Sequence, residues 1–162
     1  MSAHDDLEVI ERALAELMRL ASSRRVHDSR MRAVGLMLSR TETRFLARID
    51  ELGPRSVTAL ADELDVSQPT ASRALRRLED LGLVQRRSDE ADGRVAIYDV
   101  SARGRRERER LQDLMRTQLS DALAGLPPNR RHDLAVLMED LAGRIRRQGV
   151  ADRTMADGRT AS

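Results

Sequence analysis

Apolar residues at Leu7, Ile10, Leu14, Leu17 and Ala21 follow a three–four spacing. That spacing is the seam of a helix packed along another helix. Asp5 and Asp6 place carboxylates near its start, where the helix dipole favours them. The stretch 22–35 is polar and Arg-rich, with scattered Val26, Met31 and Val34, and reads as a break or a short helix. Ser39 and Glu42 have capping-box spacing and open a helix that buries Phe45, Leu46 and Ile49 before Gly53-Pro54. Val57, Leu60, Ala61 and Leu64 then predict a short helix, followed by a tight turn at Asp65-Val66. Ser67 suits an N-cap and Pro69 a first helical turn. The next helix puts Ala71, Ala74, Leu75, Leu78 and Leu81 on one side.

After Gly82, which fits a helix C′ position, the period changes. Leu83 to Arg87 can form a strand, and residues 88–93 end in the hairpin signal Asp92-Gly93. A second strand, 94–100, carries Ala96, Tyr98 and Val100 on one face. The polar side of the preceding helix carries Pro69, Ser72, Arg73, Arg76 and Asp80, with Thr70 and Arg77 at its margins. A short helix face of Ser, Thr and Arg suits the major groove of DNA. Two strands with a charged tip behind such a helix form a wing, with Arg86, Arg87 and Arg94 along it or at its tip. The fold expected is therefore mainly α, a winged helix-turn-helix with a two-stranded wing and long terminal helices. A long helix resumes near Ala102, with Leu111, Met115, Leu119, Leu123 and Leu126 at i,i+4 spacing, and Pro127-Pro128 breaks it. A last helix carries Leu134, Leu137, Met138, Leu141 and Ile145.

Four pieces in order carry a family resemblance. They are Leu38-Ser39-Arg40-Thr41-Glu42 with Phe45-Leu46; Leu60-Ala61 with Val66-Ser67-Gln68-Pro69-Thr70; Arg77-Leu78-Glu79 with Gly82-Leu83-Val84 and Arg86; and Asp92-Gly93-Arg94 with Val100-Ser101 and Gly104. Together they resemble the MarR family of bacterial transcription regulators over residues 38–104, and the flanking helices fit out to Gln148. Gly93 departs from the pattern, because many members have a second Arg there. The resemblance implies that the first and last helices interlock into a two-fold homodimer, and that Asp92 positions the wing while Arg94 contacts the minor groove or backbone. It also implies a small-molecule effector between the dimerisation helices and the reader, bordered by residues 26–45 and 103–115. The expected organisation is 1–35 N-terminal dimerisation helix and connector, 36–101 DNA-binding domain, 102–148 C-terminal dimerisation helices, and 149–162 flexible tail.

Composition sharpens this picture. Hydrophobic residues make up 40% of the chain, yet Phe45 and Tyr98 are its sole aromatics. The core must therefore be aliphatic, and stacking on single-stranded nucleic acid is disfavoured. The formal charge is only +2, and every basic residue is Arg. Arginine titrates very high, so the sequence pI of 10.2 overstates how cationic the surface is. Its distribution says more. Residues 67–110 hold 11 Arg against 8 acids, while 1–20 hold 2 Arg against 5 acids and 41–66 hold 3 against 6. Positive charge thus gathers at the second helix and the wing, as phosphate binding requires.

There is no Cys, which excludes disulfides and thiol sensing by this chain. No apolar run is long enough to span a membrane and no signal-peptide pattern is present, so a cytoplasmic protein is expected. His4-Asp5, His27-Asp28 and His132-Asp133 read as surface pairs, and neither metal nor cofactor is expected. No phosphate loop, nucleophile elbow or catalytic His/acid cluster supports an enzyme. The DNA-contact candidates are Ser67, Gln68, Pro69, Thr70, Ser72, Arg73, Arg76, Arg77, Arg86, Asp92 and Arg94. The partner expected is double-stranded DNA, bound as a repressor on a pseudo-palindromic operator. The alternative function is a winged-helix protein-interaction or anti-repressor module without its own operator; the alternative for the helix residues is a solvated face with ion pairs to Glu79 or Asp80.

Overall fold

Local signals set most element boundaries. In the computed structural model, the backbone is described for residues 3–88 and 95–159 and the side chains for 5–88 and 95–148. Helix α1 spans Ala3–Ala21. Ser23 then accepts a hydrogen bond from the Val26 N–H and starts α2, Arg24–Val34, which Gly35 ends in the left-handed region at φ 70°. The Arg-rich stretch is thus a short capped helix, with Met31 and Val34 buried beneath it. Helix α3, Arg40–Leu52, opens with the full capping box: Glu42 N–H donates to Ser39 Oγ, and Ser39 N–H donates to the Glu42 carboxylate at 2.7 Å.

Strand β1 is only Arg55–Ser56, and α4 follows directly over Val57–Leu64. Asp65 turns the chain at φ 52°, a left-handed conformation that Asp tolerates better than most residues. Helix α5 spans Gln68–Asp80 and buries Ala71, Ala74, Leu75 and Leu78. It ends in a Schellman motif: Gly82, at φ 66°, donates to Glu79 O at 2.8 Å and Leu83 donates to Leu78 O at 2.9 Å.

Strands β2, Val84–Ser88, and β3, Ala96–Val100, pair antiparallel with Arg86 opposite Tyr98. β1 adds to the other edge of β3, with Arg55 opposite Tyr98, so the order is β1-β3-β2. The two-stranded wing the sequence suggests is present as β2 and β3, and β1 adds a third strand that the sequence does not announce. Two residues beside Pro54 are too few to show an alternating pattern. Residues 89–94 lie outside the described part, and with them the hairpin tip.

The core joins α2, α3, α4, α5 and the sheet. Phe45, Ile49, Leu60, Leu75, Leu78, Leu83 and Val100 have no exposed surface. Fully burying each such side chain stabilises by roughly 1.5–3 kcal/mol. Helix α6, Ala102–Ala122, meets this core through Gly104 and Leu111. An added Cβ at Gly104 would lie 2.0 Å from Leu83 O, so only glycine lets α6 approach the start of β2 this closely. One turn on, Arg108 faces Asp50 of α3 at 3.6 Å. Helix α7 runs Pro128–Arg159, past Gln148 where the apolar pattern stops.

The chain divides into two compact units, Met1–Arg116 and Thr117–Ser162. In the first, α1 leaves Leu7, Ile10, Leu14 and Leu17 on the surface. In the second, α7 likewise leaves Leu134, Leu137, Met138, Leu141 and Ile145 on the surface.

Candidate nucleic-acid interface

Helix α5 presents its polar side outward because its Ala and Leu positions pack on α3 and α4. Gln68, Pro69, Arg73, Arg76 and Arg77 are exposed, and Thr70 and Ser72 half-exposed. Ser67 occupies the N-cap position with extended backbone, φ −65° and ψ 146°, but its hydroxyl caps nothing. It pairs instead with Thr70 Oγ1 at 2.9 Å. Arg73 Nη2 donates to the same Thr70 oxygen at 3.3 Å, so Ser67, Thr70 and Arg73 form one polar chain up the helix. Gln68 Nε2 donates across to Thr58 Oγ1 of α4 at 2.9 Å. Arg76 Nε donates to Ser72 O at 3.2 Å.

The arginines of this face are not tied into ion pairs. Among the described residues, Arg73, Arg76, Arg77 and Arg86 have no carboxylate partner. Neither Glu79 nor Asp80 pairs with them. Elsewhere arginines do find carboxylates one helical turn away, as in Arg19–Glu16, Arg110–Glu107, Arg116–Asp113 and Arg144–Asp140. Arg48 bridges both Glu51 and Glu63. Those arginines are tied to carboxylates, whereas the arginines of the α5 face are not.

The wing joins that face through Tyr98. Its ring is buried, and burial pushes the hydroxyl's pKa above the ordinary value of 10.0. Glu79 pushes the same way, while the positive charges of Arg86 and Arg76 oppose it. The charges of Arg76 on the helix and Arg86 on the wing therefore both reach the Tyr98 phenol. Arg87 is turned aside into a 3.1 Å ion pair with Asp99. Asp92 and Arg94 lie outside the described residues.

A clamp at the far end of α5 has no counterpart in the apolar pattern. Ser101 Oγ donates to Gly82 O at 2.6 Å and accepts the Gly104 N–H at 2.9 Å. Ser101 N donates to Leu83 O at 3.0 Å, and Arg103 Nη1 to Leu81 O at 2.7 Å. Three successive carbonyls after the helix are thereby held by the start of α6. A serine three residues before Gly104 is a readable N-cap signal, but its second bond to Gly82 O is a tertiary contact. Thr58 likewise carries no local signal of its role, which depends on two helices meeting.

A cavity of about 400 Å³ opens at the α2–α3 junction, lined by Asp28, Met31, Arg32, Leu36, Met37, Leu38 and Ser39. These fall within the 26–45 border expected for an effector, while none of 103–115 lines it. His27 Nε2 lies 2.8 Å from Leu38 O, steadying the loop beside the cavity. No group of three or more His, Cys or carboxylate side chains is placed to hold a metal among the described residues.

Comparison with known proteins agrees with this architecture. The profile of the MarR family matches residues 38–96, from the loop before α3 to the start of β3. A curated relative, the uncharacterized HTH-type transcriptional regulator YxaD of Bacillus subtilis (strain 168), is 35% identical over 68 residues. That stretch is 42% of this chain and only about half, 48%, of the relative's length. The crystal structure of a probable transcriptional regulator from Pseudomonas aeruginosa is 30% identical, covering 68% of this chain and 83% of that one at a TM-score of 0.50. RV1404 from Mycobacterium tuberculosis shares the fold at a TM-score of 0.71 and 22% identity, over 85% of this chain and 92% of that one. YxaD and the Pseudomonas aeruginosa protein are both named as transcriptional regulators, the latter as a probable one, and no helix among the described residues is long and apolar enough to cross a membrane.

Proposed function

This chain belongs to the MarR family of transcription regulators, and we propose that it binds a pseudo-palindromic operator in double-stranded DNA as a homodimer and represses from it. The observation that carries this reading is the α5 face, where Arg73, Arg76 and Arg77 stand beside Gln68, Thr70 and Ser72 with no ion-paired carboxylate among the described residues. Arginine recognises guanine O6 and N7 with two hydrogen bonds, and glutamine suits adenine. Ser67 and Pro69 sit at the helix start, nearest the phosphates in such a dock. Arg86 extends the charge onto the wing, where Asp92 would shape the tip and Arg94 would reach the minor groove.

Two copies are needed because α1 and α7 each leave an apolar stripe on the surface. A two-fold pair of readers demands a two-fold operator. The cavity beside α2 has the place and the mixed apolar and charged lining for a small effector that releases the DNA. The test is selection of bound duplexes from a random pool, repeated at rising salt. An inverted repeat with half-sites about one helical turn apart, and affinity falling steeply with salt, supports the reading. Selected duplexes without dyad symmetry, or binding indifferent to salt, reject it.

A further inference from the structure

Gln68 is the first residue of α5 and is exposed on the reading face, yet its amide is not free. Its Nε2 donates to Thr58 Oγ1 at 2.9 Å, across the turn that separates the two helices of the reader. Thr58 stands in the first turn of α4, which Ser56 caps through the Ala59 N–H at 3.2 Å. Asp65, in its left-handed turn, and Val66, whose N–H donates to Ala61 O at 3.0 Å, fix the approach of α5 to α4. Both partners of the hydrogen bond therefore rest on backbone that is itself fixed.

We propose that Thr58 is a positioning residue for base recognition: it orients the Gln68 amide and so sets the base preferred at one position of each half-site. This rests on the DNA-binding reading above. A free glutamine samples several rotamers, and ordering it on DNA lowers affinity. Thr58 removes part of that loss before DNA arrives. It also selects an orientation. With one amide N–H engaged by the threonine oxygen, Oε1 and the second N–H remain as an adjacent acceptor and donor. That pair matches N6 and N7 of adenine in the major groove. Thr58 thus acts through Gln68 and touches no base itself.

The test compares wild type, T58V, T58S, Q68A and the T58V/Q68A double variant on single-base variants of the selected duplex. Circular dichroism melting accompanies each variant to establish that it is folded. T58V removes the hydroxyl at nearly constant shape. It should lower affinity for the adenine-containing duplex by about three- to tenfold, the scale of one net hydrogen bond, while leaving affinity for duplexes altered at that position nearly unchanged. T58S keeps the hydroxyl and should restore the preference. In the Q68A background, T58V should have no further effect, because the group it positions is gone.

Three results overturn the inference: T58V keeping the wild-type base profile, T58V adding its full effect to Q68A, or T58V weakening all duplexes evenly with a shallower salt dependence. The last result makes Thr58 a phosphate contact. A wild-type chain that selects no duplex at all overturns instead the functional reading beneath it, so the two failures are distinguishable.

Discussion

In the reader, Phe45, Ile49, Leu75 and Leu78 are wholly buried, while on α7 Leu137 is 66% exposed and on α1 Leu7 is 65% exposed. Both regions are helical and both carry apolar seams, but the reader closes its own core and the arms do not. The reader's helices are short, each ends in a cap or tight turn, and a three-stranded sheet lies against them. The arms are long and regular, so each apolar stripe extends along a helix with few neighbours. Within one chain, the same residue types thus encode a self-sufficient fold in one place and an unfinished surface in another. An unfinished apolar surface is a statement about association.

The strongest challenge to this contrast is to place charge on an arm. Replacing Leu137 and Leu141 together by Asp should raise the dissociation constant of the proposed dimer by on the order of a thousandfold, since buried unpaired carboxylates are costly. Sedimentation analysis would show monomers with retained helical signal. A variant that remains dimeric removes α7 from the interface.

Truncation sharpens the same comparison. Phe45→Ala should destabilise the protein by about 3–5 kcal/mol, because it opens a cavity in the closed core. Leu17→Ala on α1 should cost the isolated protomer less than about 1 kcal/mol and show its effect in dimer affinity instead. Urea unfolding at several protein concentrations separates the two, and similar concentration-independent losses would erase the distinction between core and arm.

Gly104 tests the seam where an arm meets the reader. Gly104→Ala puts a methyl 2.0 Å from Leu83 O and 2.9 Å from Val100 Cγ1. Overpacking of this kind costs about 1–3 kcal/mol. Thermal melting should show the loss, and DNA affinity should fall with it because the same junction holds the end of α5. A neutral Gly104→Ala would mean that α6 shifts freely away from the sheet.

Much of the reader was legible in sequence because its signals are local. The capping box of α3, the glycine ending α5 and the alternation at Ala96, Tyr98 and Val100 each lie within a few neighbouring residues. The helix beginning at Arg24 was harder to read, since its apolar positions are sparse and only Ser23 and Gly35 bound it. The third strand, the Ser101 clamp and the Thr58–Gln68 bond are pairings between distant segments, which no window of sequence displays. Ser67 shows the limit most clearly. Its position marks it as an N-cap, but its hydroxyl turns to Thr70.

The smallest expected effect concerns Tyr98. Burial raises its pKa above 10.0, so the folded state favours the neutral phenol. Its contribution to stability is complete below about pH 10, the unfolded value, and declines as pH climbs toward the higher folded value. Tyr98→Phe should abolish that decline, measured as the difference in urea midpoint between pH 9 and pH 11. An unchanged slope would place the phenol in contact with solvent rather than buried.

The most direct measurement is a competition titration of wild type and Arg73→Ala against the selected duplex and its single-base variants at two salt concentrations. Arg73 stands on the outer face of α5 near its start, where a docked helix meets base edges. Its loss should cost on the order of 1–3 kcal/mol and relax preference at one position of each half-site, with dimer formation intact. Arg94→Ala, run beside it, should weaken every duplex more evenly and reduce the salt slope. Full base discrimination by Arg73→Ala would contradict the assignment of α5's outer face as the surface that recognises DNA.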